Sequence, residues 1–160
     1  MAEYRLDTSL ARETWETFDA FTQAYLEAAM WTLTDSYREC QVCDYTTHGD
    51  EDCANCGPAG DMRERTESCD HLGLHDIAPT ALESARQDCA RFQRDCEYLL
   101  KHAGTDEQNG HDFWLTRNRH GAGYWDRGYH ERIGGQLSDT CEAYGQVDWY
   151  VGDDKLVYQS

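Results

Sequence analysis

Apolar residues recur at helical spacing in three stretches of this chain. Phe18, Phe21, Tyr25, Ala28 and Ala29 predict a helix over 13–37, capped by Thr17 or Asp19. Ala85, Cys89, Phe92, Cys96 and Leu99 fall alternately four and three apart, one continuous apolar stripe. That second helix starts near Asp76 to Thr80: Pro79 suits a first turn, and Thr80 with Glu83 has the capping-box spacing. Lys101 and His102 close it and Gly104 stops it. Ile133, Leu137, Cys141 and Tyr144 predict a third helix over 129–144, stopped by Gly145 and weakened by Gly134 and Gly135 at ~1 kcal/mol each. Cys89 and Cys96 lie two turns apart on the stripe, so they read as small buried hydrophobes rather than a redox pair.

Two further stretches read as hairpins. "DFWLTR" and "AGYWDR" flank a turn at Asn118 to Gly121, and "VDWYVGDDKLVYQ" turns at Gly152 to Asp154. The order is helix, insertion, helix, hairpin, helix, hairpin. It predicts an α+β domain spanning 1–160, with helices packed on a small antiparallel sheet made of two hairpins. In the first hairpin Asp112 faces Arg127, Trp114 faces Trp125 and Leu115 faces Tyr124. Arg117, Arg119 and His120 then sit at an exposed, pre-organised tip, a candidate partner-binding surface. His111 and His120 fall at opposite ends of one strand, about 25–30 Å apart, too far to share a metal or act as a catalytic pair.

Between the first two helices lies "CQVCDYTTHGDEDCANCG". Cys40, Cys43, Cys53 and Cys56 form two CxxC pairs, and each short turn points both thiolates at one ion. Together they complete a tetrahedral site of four thiolates, a structural Zn2+ with no position left for water. Residues 38–75 are therefore a cysteine-rich, zinc-binding insertion. Cys69, His71 and His75 follow as possible replacement ligands, or as loop residues if the four thiolates close the site. Disulfides are the alternative, disfavoured in an intracellular chain.

Charge narrows the partners. The chain has 31 Asp plus Glu against 14 Lys plus Arg, a formal net charge of −17, and its only lysines are Lys101 and Lys155. The acids are dispersed, and the chain is 39% hydrophobic and 12% aromatic, enough for a folded core rather than a disordered tail. Two readings account for the acidity. One is a cytoplasm of molar salt, where the Debye length falls to about 3 Å and self-repulsion is screened. The other is molecular mimicry of nucleic acid. Seven acids (Asp44, Asp50, Glu51, Asp52, Asp61, Glu64, Glu67) surround the cysteines against Arg63 and Arg65, so direct nucleic-acid binding is not expected. No apolar run approaches membrane-spanning length and the first residues are charged, which predicts a soluble protein of the host cytoplasm.

"FTQAYLEAAMW", "DIAPTAL", "GHDFWLTRNRHGAGYWDRG" and "YVGDDKLVY" resemble a family of small tailed-phage and prophage proteins that carry HDFWLTRNGHGAGFWDR and end in YVGDDGKIY. The resemblance covers most of the chain outside the cysteines and implies a viral or prophage origin, here in a halophile branch, without implying an activity. It makes the zinc site an addition of this branch. Arg119 stands where the family shows Gly, so the turn need not have φ > 0 there. Two function classes follow. The first is a non-catalytic viral accessory protein that binds a host or viral macromolecule, with a protein partner expected, in a counter-defence role; a virion component is a third option. The second is a small hydrolase or nuclease using His111, Asp112, Arg117, His120 and Asp126.

Overall fold

A computed structural model describes residues 14–160. Its elements run α1 (Ala20–Thr32), β1 (Thr34–Cys40), β2 (Thr46–Thr47), β3 (Met62–Ser68), α2 (Pro79–Asp95), α3 (Glu97–Leu100), α4 (Asp106–Arg117), α5 (Glu131–Tyr144), β4 (Trp149–Val151) and β5 (Val157–Gln159). Short 3-10 turns cover Leu74–Asp76 and Tyr124–Asp126. Helices combined with small antiparallel sheets are the α+β class the sequence predicts. The chain divides into two compact units: Thr32–Cys69, and the described residues up to Trp31 together with Asp70–Ser160. The insertion expected over 38–75 thus has its unit boundaries at Thr32 and Cys69.

The larger unit is built on an aromatic core. Phe113 of α4 stacks on Phe92 of α2 at 4.0 Å between ring centres, with Phe21 at 6.0 Å, Tyr25 at 5.2 Å and Tyr144 at 5.4 Å. Offset and edge-on ring contacts of this kind add to area burial. Asp19 caps α1, its carboxylate accepting the Thr22 N–H at 2.7 Å and lying below its usual pKa range, where hydrogen bonds from Thr22 and Gln93 outweigh the desolvation that would raise it. The helix expected over 13–37 is shorter: α1 ends at Thr32, and Thr34–Tyr37 belong to β1. The predicted stripe of α2 is buried at Ala85, Cys89, Phe92 and Cys96. Ala78 rather than Thr80 is its N-cap, with Pro79 in the first turn, and Glu83 pairs with Arg86 instead of closing a capping box. In α5, Leu137 and Cys141 are buried and Gly145 (φ 76) ends the helix. The C-terminal hairpin forms as predicted, β4 pairing antiparallel with β5 across residues 152–156.

The first predicted hairpin is not one. Residues 106–117 are helix α4, and "AGYWDR" passes through a 3-10 turn rather than a strand. Thr105 caps α4, accepting the Gln108 N–H at 3.2 Å, with Asp106 and Glu107 in the first turn and Arg117 in the last, each favourable toward the helix dipole. The helix lacks an alternating or one-sided pattern because Asn109, Gly110 and every residue from Asp112 to Arg117 are buried. A Cβ at Gly110 would clash with the Phe21 carbonyl oxygen, so glycine there lets α1 and α4 approach closely.

The smaller unit is a three-stranded antiparallel sheet of order β2-β1-β3. Its surface is polar on both faces: Arg63 to Ser68 of β3 are all exposed. Side chains cross the strands as polar pairs, Tyr37 donating to Glu67 at 2.7 Å, Ser36 bonding Thr66 at 3.1 Å and Arg65 donating to Glu39 at 3.0 Å. Exposed ion pairs of this sort contribute about 0–1 kcal/mol each. The buried side chains between Thr32 and Cys69 are Leu33, Cys40, Cys53 and Cys69.

Candidate metal centre

The four cysteines predicted as ligands converge. Cys40, Cys43, Cys53 and Cys56 place their Sγ atoms within 4.8 Å of one another, with Cys43 and Cys53 at 3.3 Å. Thiolates on a tetrahedron of ~2.3 Å metal–sulfur bonds lie about 3.8 Å apart, so this donor set fits one ion. All four are free thiols, not disulfides.

Both halves of the site have the same construction. The Asp44 N–H donates to the Cys40 carbonyl at 2.9 Å, and the Gly57 N–H donates to the Cys53 carbonyl at 2.7 Å. The residue after each second cysteine is left-handed, Asp44 with φ 58 and Gly57 with φ 57. Each CxxC therefore closes as a tight turn and reverses, bringing its two thiols to one side. The Cys56 N–H and the Asn55 amide donate to sulfur, at 3.4 Å to Cys53 and 3.6 Å to Cys43. A Cβ on Gly60 would fall 2.6 Å from the Cys53 Cβ and 3.3 Å from the Cys40 Sγ, so the chain passes over the cluster only as glycine. Hydrogen bonds from the Tyr45 backbone and Cys53 lower the Cys43 thiol to about 7. Its thiol neighbours, Cys43 first, push Cys56 up to about 12. Among the described residues this is the sole group of such donors, so Cys69, His71 and His75 lie outside it. Spacing alone identified the four cysteines that converge. Gly60, Asn55 and Tyr45 carry no comparable sequence signal.

The residues of the 111–128 motif are placed differently from expectation. Arg117 is not at an exposed tip; it is 3% exposed. Its guanidinium donates to Asp88 at 2.8 Å, to the Tyr25 hydroxyl at 3.0 Å and to the Gly145 carbonyl at 2.9 Å, and it lies over the Phe113 and Tyr144 rings. A helical residue surrounded by core is unavailable to a partner. Asp112 is fully buried and accepts from Arg127 Nη2 at 2.8 Å, Arg127 Nε at 3.0 Å and Gln108 at 3.1 Å. The Asp112–Arg127 pair is thus the one the sequence predicts, joining a helix to the segment that folds back on it. The predicted Trp114–Trp125 and Leu115–Tyr124 pairs have no strands to carry them: Trp114 packs on Tyr25, His120 and Trp149, and Trp125 is exposed.

Asp126 caps the 3-10 turn, accepting the Gly123 N–H at 3.2 Å. His111 is half-buried on α4. The strand-based 25–30 Å separation of His111 from His120 no longer applies, since a helix advances ~1.5 Å per residue. Helical geometry also turns Arg117 about 140° from Asp112, so these two charges serve different neighbours. Arg119 and His120 are exposed just beyond α4. The sequence leaves the backbone sign at Arg119 open, and the structure gives it φ 56: it is the left-handed residue that terminates the helix. His120 stacks over Trp114, and burial holds its pKa below the usual value. Among the described residues no helix is long and apolar enough to cross a membrane. No family model matches the chain, and no curated protein or solved structure matches it either.

Proposed function

We propose that this is a non-catalytic accessory protein, of the viral or prophage kind its 111–128 motif resembles, that binds a protein partner in the cytoplasm of a halophilic host. One structural zinc ion in the Cys40–Cys43–Cys53–Cys56 site holds its smaller unit together. The observation that carries this reading is the thiol cluster: four sulfurs converge in a unit that buries almost nothing else. Borderline-soft zinc is the usual occupant of a four-thiolate site, and four protein ligands leave no open position for activating water. Zn2+ with four thiolates retains a double negative charge, which together with the surrounding acids opposes phosphate. The carboxylate and guanidinium that a hydrolase would recruit, Asp112 and Arg117, are occupied in holding the core. Arg119 and His120 remain the exposed cationic and aromatic contact at the end of α4.

Protein purified without added zinc should contain about one zinc per chain by elemental analysis. It should capture a host protein from lysate at native salt, and Arg119→Glu with His120→Ala should lose the capture while retaining the zinc. Hydrolysis of nucleic acid or an ester by the pure protein, abolished by His111→Ala, would overturn the binding reading. If the acidity is salt adaptation, the melting temperature rises from low to molar KCl; indifference to salt would favour mimicry.

A further inference from the structure

The outer edge of β3 has a feature that the metal site does not use. Among the described residues no strand pairs with that edge, and the strand is seven residues long with Arg63 to Ser68 exposed. Its backbone orientation can be read from both ends of the ladder. The Cys69 N–H donates to the Leu33 carbonyl at 3.3 Å, and the Gln41 N–H donates to the Asp61 carbonyl at 3.0 Å. These pairs lie in the same register as Tyr37 opposite Arg65. Inward-bonded pairs alternate along an antiparallel ladder. The backbone groups of Arg63, Arg65 and Glu67 therefore face β1, and those of Met62, Glu64, Thr66 and Ser68 point outward. The edge contains no proline or bulge, and its charged residues Arg63, Glu64, Arg65 and Glu67 are of both signs, so they can select a pairing register as well as discourage unspecific pairing.

We propose that β3 pairs with β3 of a second copy of this chain, antiparallel about a two-fold axis at Thr66, to make a continuous sheet across a dimer. A two-fold perpendicular to the sheet keeps each face on its own side, so residues of equal parity oppose one another. Charge then selects the register. An axis at Glu64 sets Glu64 against itself and Arg63 against Arg65. An axis at Arg65 sets Arg63 against Glu67 but also Arg65 against itself at the centre, where the two side chains are closest. An axis at Thr66 sets Arg65 against Glu67 on both sides, Glu64 against Ser68, and Thr66 against itself. Of these three registers, which keep most of the strand paired, that one alone has opposite charges facing and no like pair, and it places the outward backbone groups of Glu64, Thr66 and Ser68 in mutual hydrogen-bonded positions. Opposite-charge and Thr–Thr cross-strand pairs are both stabilising. The net charge of −17 opposes association of two copies, so the dimer belongs to high salt, where that repulsion is screened.

The test is sedimentation equilibrium of the full chain, metal as purified, in 1 M KCl across a concentration series. The expected result is a reversible monomer–dimer equilibrium. Thr66→Pro removes an outward N–H without touching the β1–β3 ladder, and should raise the dissociation constant about tenfold or more. Thr66→Ala, which keeps the N–H, should retain the dimer. Glu67→Arg sets Arg against Arg and should also weaken it, and adding Arg65→Glu to that variant should restore it. This pair decides the matter if the proline variant fails to fold. A wild-type chain that stays monomeric at the highest concentration overturns the proposal. So does a dimer that Thr66→Pro and Glu67→Arg leave unchanged, since its interface is then elsewhere. Neither result depends on which metal the cysteines hold.

Discussion

The two units are held by different forces. In the larger one, rings from α1, α2, α4 and α5 meet around Phe113, and even the charges of Asp112 and Arg117 are drawn inside and paired. In Thr32–Cys69, Leu33 is the one buried hydrocarbon side chain, and the other buried residues are cysteines. A sheet polar on both faces gains too little from area burial to offset the entropy of ordering its backbone. What it has instead is four thiols placed to hold an ion. One chain thus contains a unit that folds by excluding water and a unit whose buried side chains are nearly all sulfur.

Removing the ion should break that comparison most sharply. A structural thiolate site contributes on the order of 10 kcal/mol at neutral pH, more than such a unit can lose. A strong chelator should abolish amide-exchange protection in β1 and β3 while the helical ellipticity of α2, α4 and α5 persists. Protection that survives in metal-free protein would show that the polar sheet sustains itself. Phe113→Ala is the converse experiment. Deleting the central ring should cost about 3–5 kcal/mol in urea denaturation followed by helical signal, with zinc content unchanged.

What could be read from the sequence follows the same division. The stripe through Ala85, Cys89 and Phe92 was legible because one face of α2 meets the core and the other meets water. The ligand set was legible because two CxxC turns allow few geometries. Helix α4 was not, because burial on all sides erases the periodicity of Phe113, Trp114 and Leu115, leaving a run that also suits a strand. Its signal is local: Thr105 followed by Asp106, Glu107 and Gln108 is a helix start. β1 and β3 were invisible for the opposite reason, since "TDSYREC" and "MRERTES" have no apolar face to alternate. The burial of Arg117 depended on Asp88 and Tyr25, partners that no pattern around Arg117 announces.

Smaller perturbations refine the account of the larger unit. Arg119 holds φ 56, a conformation costing most L-residues ~1 kcal/mol, so Arg119→Gly should stabilise by up to about 1 kcal/mol in thermal or urea melts. A loss of stability would mean that the arginine side chain contributes more than its backbone costs. The smallest effect is expected at His120. Although exposed on one side, the His120 ring is partly desolvated beside Trp114, which lowers its pKa below the ordinary 6.5, so near that pH the unfolded chain binds more protons than the folded one. The contribution of neutral His120 is complete above 6.5 and is lost as pH falls through the lowered value. An NMR titration should find its imidazole midpoint below 6.5 in the folded protein, and a midpoint at or above that value would remove the packing argument.

The surroundings of Trp114 also decide what an optical experiment can see. Its ring lies 5.3 Å from Tyr25 and 5.6 Å from Trp149, inside the aromatic core. The remaining tryptophans, Trp15, Trp31 and Trp125, also fall outside Thr32–Cys69, which contains Tyr37 and Tyr45 but no indole. Indole emission is therefore a reporter of one unit only. Loss of the ion would leave the spectrum nearly unchanged while the amides of β1 and β3 exchange freely. A melting curve taken by tryptophan fluorescence would look like a single clean transition and would miss the event that matters to the cysteines.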